Sequence, residues 1–307
     1  MTNTAIVTKQ NFDQVISLVT DSLTSENSRV MYRKALVDFI SWREQQGRPD
    51  LNKALVQKYK TVLQERNYSA ATINQRLSAI RKLASEAADN GVLDPTIAAG
   101  IGRASGVKAS GVRTGNWLTL AQAQTLLNTP DVSTLKGLRD RAILAVMIGA
   151  GLRRSEVAAL TFAHIQQRDA RWAIVDINGK GGRVRTVPIP SWTKAAVDAW
   201  ALAADVNSDF IFRRINRGGR ISGDSMTSQA IADVAKSCAV VCGYELAAHD
   251  LRRSFAKLAH RGGAALEQIQ LSLGHASLKT TERYLGVAQS FDDAAPCDHL
   301  GLRLEML

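Results

Sequence analysis

The groups able to do chemistry in this chain of 307 residues are cations, histidines and one tyrosine, ordered along its second half. Gly149-Ala-Gly-Leu-Arg-Arg-Ser-Glu156 joins two helical patterns, and a glycine-rich bend of this kind can hold an arginine at a helix N-terminus. Asn178-Gly-Lys-Gly-Gly-Arg183 separates two β-like runs and puts Lys180 at a hairpin tip. His249-Asp-Leu-Arg252 sets a histidine and an arginine three apart, hence on one helix face. Leu273-Gly-His275 leads into Ser277-Leu-Lys-Thr-Thr-Glu-Arg-Tyr284, with Ser277 as a candidate cap. Each piece alone has a plainer meaning: a salt-bridged helix surface, a hairpin turn, a core tyrosine.

Other chemistries are excluded more easily. No GxxxxGK[ST] occurs, so there is no nucleotide-binding loop of the usual kind. Cys238 and Cys242 lie one helical turn apart with no His or third Cys at zinc-like spacing, and their Ala/Val surroundings indicate helix core. His164 and His299 have no evident partners. Neither a metal nor a cofactor is expected. Three cysteines in a long chain suit a reducing compartment, and MTNTAIVTKQNF lacks the pattern of a signal peptide. The apolar run Ala142 to Leu152 is too short to span a bilayer. Lys+Arg 39 against Asp+Glu 28 gives a net charge of +11, which points to a polyanionic partner, nucleic acid before an anionic membrane surface. A cytoplasmic, nucleoid-associated protein is expected, with no membrane partner.

Taken in order, the motifs GLRRSE, GKGGRVRTVPI, HDLRRSFAKLAHRGG and LGHASLKTTERYLG resemble the tyrosine recombinase (phage integrase) family, nearest its Xer-like and simple integrase branch. The resemblance implies a catalytic set of Arg153, Lys180, His249, Arg252, His275 and Tyr284, with Glu156 supporting the first arginine. A shift of one residue would make Arg154 or Arg253 catalytic, but the intervals favour Arg153 and Arg252. The chemistry wants such groups. Attack on a phosphodiester builds negative charge on its non-bridging oxygens, which two guanidiniums can grip with fixed donors. Tyr284 supplies the nucleophile and, with an ordinary pKa of about 10, needs a base or a cationic neighbourhood. His249 is the better placed base, His275 hydrogen-bonds the phosphate, and Lys180 protonates the leaving 5′ oxygen. The 3′-phosphotyrosyl link conserves the bond energy, so resealing needs neither ATP nor metal.

These groups must be positioned by helices and one hairpin. After Ser28, Tyr32, Leu36, Phe39 and Ile40 share a helix face, closed by Gly47 and Pro49. A second helix is expected over Asn52 to Arg66. A third begins after Ser69 and stops at Asn90-Gly91, its other face showing Arg76, Arg81 and Lys82. That face is either simply solvated or in contact with phosphates. Helices over Leu120 to Leu127 and Leu135 to Gly149 precede strands at 172–177 and 184–189. Helical pattern resumes from Trp192 and continues to the end.

The expected fold is mainly α with a small β-hairpin or sheet. The resemblance makes residues 1–100 a helical SAM-like core-binding domain and 117–289 a mixed α/β catalytic domain. Residues 101–116 are a basic, glycine-rich linker, a strap along DNA in which Arg103, Lys108 and Arg113 join the candidate DNA contacts. The short N-terminal unit leaves no room for a further arm-binding domain. Residues 290–307 are acidic and Leu-rich, either a tail folded back on its own domain or a segment that docks on a neighbouring subunit. The implied partner is double-stranded DNA with short inverted-repeat core sites, bound by a tetramer, with an accessory or related recombinase left open. Competing with site-specific recombination are a type IB topoisomerase, which only swivels and reseals one duplex, and a DNA-binding regulator that keeps the fold without catalysis.

Overall fold

A computed structural model describes residues 9–108, 116–179 and 182–286. The chain divides into two compact units, residues 1–112 and 113–307. The first is all helical: α1 (Lys9–Asp21), α2 (Glu26–Gln45), α3 (Lys53–Glu65), α4 (Ala70–Asp89) and α5 (Pro95–Gly102). Side-chain caps start three of them. Asn52 accepts from the Leu55 amide, Ser69 from that of Thr72, and Asp94 from those of Thr96 and Ile97 with Pro95 at the first helical position. Helix α4 is the hub, burying Ile73, Leu77, Ile80, Leu83 and Ala84. Phe39, Trp42 and Tyr59 pack beside it with ring centroids 4.9 to 6.1 Å apart.

Helix α4 does not offer the free cationic face read from its sequence. Arg76 is buried: its Nη1 lies 2.8 Å from Asp38 Oδ2 and donates to the Tyr59 hydroxyl at 3.4 Å, and its guanidinium sits 4.9 Å from the Tyr68 ring centroid. Arg81 donates to the Ala104 carbonyl, and Lys82 pairs with Glu86 at 2.8 Å. Lys82 nevertheless keeps 39% of its side chain exposed. The first part of the expected linker is also corrected. Ile101 and Ala104 are buried in the first unit's core, and both backbone groups of Val107 are held by the Asn74 side chain at 2.8 and 2.9 Å. Arg103 and Lys108 are exposed, whereas Arg113 lies outside the described residues.

Near the start of the second unit the Trp117 ring is flanked by Lys257 and Arg261, and the chain continues through α6 (Leu120–Asn128) and α7 (Leu135–Gly149). Helix α7 buries every residue from Ala142 to Gly149, so the apolar run is a core helix, apolar all round because protein surrounds it. Among the described residues, no helix is long and apolar enough to cross a membrane. Helix α8 (Arg154–Ala158) and a turn of 3-10 helix lead to a three-stranded antiparallel sheet in the order β1 (Ile165–Arg168), β2 (Arg171–Asn178), β3 (Val184–Pro188). Strand β1 was not expected. Its hairpin turns at Asp169 and Ala170, both at positive φ, as a tight two-residue turn requires. A bulge between Ile174 and Ile177, with Asp176 at φ +54°, brings Ile177 opposite Arg185.

Helices α9 (Ser191–Ala204), α10 (Ser228–Val241), α11 (Ala248–Arg261), α12 (Leu266–Leu273) and α13 (Leu278–Leu285) complete the described unit. The helical pattern is therefore not continuous from Trp192. Residues 205–227 are irregular, begun by Asp205 and Asp209 at positive φ and tied down by Trp200 Nε1 donating to the Ile211 carbonyl at 2.8 Å. Cys238 is in the core, its thiol pKa pushed up to about 11 by burial, and the Cys242 sulfur lies 2.9 Å from the Thr129 hydroxyl. His164 has a partner after all, its Nδ1 accepting from the Thr161 amide at 3.0 Å.

Candidate active site

The bend after α7 makes the first arginine available. Gly151 adopts φ +61°, and a Cβ there would run into the Phe255 ring. The chain can then turn so that Arg153 caps α8. Glu156, one turn on, answers that cap: Oε2 accepts from the Arg153 amide at 2.8 Å, and Oε1 from Arg153 Nη1 at 2.7 Å. The Arg153 side chain stays partly open while Glu156 is buried.

Glu156 holds more than one arginine. Arg185 of β3 donates Nη1 to Oε1 at 3.0 Å and Nη2 to Oε2 at 2.8 Å, and Arg252 Nη1 lies 3.9 Å from Oε2. Burial alone would raise the Glu156 pKa, but the hydrogen bonds and charge of Arg185 and Arg153 outweigh it and hold the carboxyl below its ordinary range. Arg252 is nearly fully buried, with Nη1 donating to the Gly151 carbonyl at 2.6 Å and Nη2 to that of Leu273. Burial and then Arg153 lower its pKa to about 10, so it remains a cation at neutral pH. Arg185 Nε donates to the Ser272 carbonyl at 2.8 Å. Two arginines thus take the last carbonyls of α12, where the helix dipole favours positive charge.

That arrangement fixes the start of the next loop. Gly274 ends α12 at φ +61°, and a Cβ on it would stand 3.0 Å from Arg185 Cδ. His275 follows, its Nδ1 3.0 Å from the buried Thr281 hydroxyl. Burial, then Arg252 and Arg153, depress the His275 pKa to about 4, so the free protein holds it neutral. His249 comes from the first turn of α11. Although it keeps an edge open to solvent, its surroundings and then Arg252 and Arg253 hold its pKa below the ordinary value.

Tyr284, on α13, meets both histidines. Its hydroxyl lies 3.3 Å from His249 Nε2, and the ring packs edge-on against His249 and His275 with centroids 5.7 and 5.3 Å apart. Burial raises its pKa, and Arg252 and Arg253 oppose the rise. Five of the six residues singled out from the sequence, Arg153, His249, Arg252, His275 and Tyr284, therefore converge on one face with Glu156 beneath. Lys180 lies outside the described residues. The glycine before it does not: a Cβ on Gly179 would be 3.3 Å from Arg185 Nη1 and 4.0 Å from Arg153 Nη1.

Arg185 and Thr281 were missed. The signal for Arg185 was parity, because it shares a strand face with buried Val187, and a cation on that face needs a buried acceptor. Thr281 gave no comparable signal. Among the described residues, no group of three or more His, Cys, Asp or Glu side chains could hold a metal ion. The cluster has the donors to grip a tetrahedral anion and a base beside a phenol.

Comparison with known proteins identifies the two domains. The family described as phage integrase matches residues 116–290, and the phage integrase N-terminal SAM-like domain matches residues 15–91. Tyrosine recombinase XerD of Vibrio cholerae is 31% identical over 281 residues, 86% of this chain and 87% of that protein. Tyrosine recombinase XerC of Myxococcus xanthus is 36% identical over 193 residues, 58% of this chain but only 62% of that protein's length. In fold, the chain is similar to the XerH site-specific recombinase bound to a palindromic difH substrate, with a TM-score of 0.69 at 20% identity over 92% of this chain and 82% of that one. A lambda integrase dimer bound to a COC′ core site gives 0.68 at 14% identity, over 89% and 75%. With both domain families matched and the arginine, histidine and tyrosine motifs gathered at one site, the chain belongs to the phage integrase family of tyrosine recombinases.

Proposed function

We propose that this recombinase exchanges strands at specific sites on duplex DNA, with Tyr284 as the nucleophile. The observation that carries this is the 3.3 Å approach of the Tyr284 hydroxyl to a His249 ring whose low pKa leaves it neutral and able to take a proton. Tyr284 gives its proton to His249 Nε2 and attacks phosphorus. The bond to the 5′ oxygen breaks, and Lys180 protonates that oxygen. Arg153 and Arg252 grip the non-bridging oxygens as charge builds, each worth on the order of a hundredfold to a thousandfold in rate. His275 donates to the same phosphate. Attack by a 5′ hydroxyl of a second duplex on the phosphotyrosine reverses the step and exchanges strands.

The exchange needs four active sites, so the working form is a tetramer on paired core sites of short inverted repeats. Residues 290–307 would link its subunits. An open apolar groove of about 900 Å³ between α6, α7, α9 and α11, edged by exposed Leu120 and Trp192, could take a few of the leucine side chains of such a segment. Deleting 290–307 should leave single-site cleavage largely intact and impair synapsis; equal loss of both would count against this role for the tail. Arg103, Lys108 and Arg113 are proposed phosphate contacts.

The decisive experiment is covalent trapping on nicked duplexes from around the protein's own gene, which lose the 5′ end after cleavage. The wild type should give a shifted adduct on a denaturing gel and Tyr284→Phe none. An adduct with Tyr284→Phe would remove Tyr284 from the mechanism, and tight specific binding without any wild-type adduct would favour a DNA-binding regulator.

A further inference from the structure

One cation beside the nucleophile has no part in the mechanism above. Arg253 follows the clamp residue Arg252 on α11, and its guanidinium carbon lies over the Tyr284 ring, 5.2 Å from the centroid. It is held there. Nη1 is 2.8 Å from Asp250 Oδ1, and Asp250 Oδ2 accepts from the Ala247 amide at 2.9 Å, so the helix N-terminus fixes the carboxylate and the carboxylate fixes the arginine. Both side chains of that pair are largely buried, at 15% exposure each. Among the described residues, the remaining charged and titratable groups facing the ring are His249 and Arg252 from α11, Arg153 from the start of α8, and His275 from the loop before α13.

We propose that Arg253 is a positioning residue that favours the phenolate form of Tyr284 through the face of its ring. A cation over an aromatic face is attracted to its electron density, and ionising the phenol adds a full negative charge to that density. The attraction is therefore stronger to the phenolate than to the phenol. The proton lost goes to His249 Nε2, and no further reactant is required. The same contact acts in resealing, where the phosphotyrosyl bond breaks and the departing oxygen regains its negative charge. Arg252 also acts on Tyr284 through its charge, with its Nη1 and Nη2 donating to the Gly151 and Leu273 carbonyls, whereas Arg253 lies over the ring face.

The inference rests on Tyr284 being the nucleophile, and its test keeps the two apart. Single-turnover cleavage of a nicked duplex by saturating protein would be followed across pH for wild type, Arg253→Met, Arg253→Gln and Arg253→Lys, with Tyr284→Phe as control. A partly desolvated cation over a ring implies a midpoint about half to one pH unit higher in Arg253→Met, and a rate about three- to tenfold lower at neutral pH. The high-pH plateau should be unchanged, Arg253→Gln should behave as Arg253→Met, and Arg253→Lys should fall between. A uniformly slower profile with an unmoved midpoint would mean a structural role only and overturn the inference. If Tyr284→Phe still forms the adduct, the nucleophile assignment fails whatever Arg253 does.

Discussion

Arg185 engages both carboxylate oxygens of Glu156, at 3.0 and 2.8 Å, while its Nε takes the Ser272 carbonyl. One side chain therefore joins the strand leading from the hairpin tip, the carboxylate under the first arginine, and the end of the helix that precedes His275. Removing one member of a buried ion pair leaves the other uncompensated, at a cost of about 3–5 kcal/mol. Arg153 still holds Glu156 in Arg185→Met, so the stability of the second unit should fall by less than that in chemical denaturation, while cleavage is abolished. Arg185→Lys, which keeps the charge but not the paired donors, should lose less. Unchanged stability in Arg185→Met would show that Glu156 finds equivalent partners.

Gly151 makes a second test. Its φ of +61° and the Phe255 ring against its α-carbon leave no room for a methyl group, and its carbonyl anchors Arg252. Gly151→Ala should cost about 1–3 kcal/mol from backbone strain alone. Cleavage should fall further than DNA affinity, because the strained backbone displaces the carbonyl that anchors Arg252. Pairing it with Phe255→Leu should return part of the stability but not the strained φ.

The histidines give stability a pH dependence. The folded protein holds His275 with a pKa of about 4, below the ordinary 6.5. Between those values the unfolded chain binds a proton that the folded chain does not. Stability therefore rises with pH through this window and is lost as pH falls from above 6.5 toward 4. His249, shifted in the same direction, adds to the trend. Melting temperature should drop over that range in the free protein, and His275→Gln should flatten the drop. A variant with the wild-type slope would refute the assignment to His275.

Arg76 separates structural from DNA-facing cations. Arg76→Met breaks a charge-assisted pair with Asp38 and should destabilise the first unit by about 1–3 kcal/mol. It should leave the salt dependence of DNA binding unchanged. Replacing exposed Arg103 and Lys108 by Ala should do the reverse, reducing the slope of log affinity against log salt by up to about two without a change in melting. A reduced slope in Arg76→Met would return that side chain to the DNA surface.

The sequence by itself determined the order of the motifs, the family they resemble, helices α2, α3, α4, α6 and α7, and the Ser69 cap, whereas Ser277 stands at the start of α13 without a side-chain cap bond. Such features depend on neighbours three or four positions away, as with Ser69 and the Thr72 amide or the helical period of α2. The same local logic failed where burial came from elsewhere in the chain. Arg76 reads as a surface cation until Asp38 and Tyr59 close over it, and the polar start of the strap gives no hint that Asn74 binds both backbone groups of Val107. Only tertiary structure could decide that Arg185 would share Glu156 with Arg153, or that Arg253 would reach the Tyr284 ring. A buried charge is defined by its partner, and these partners lie 29 and 31 positions away, beyond the range of any local pattern.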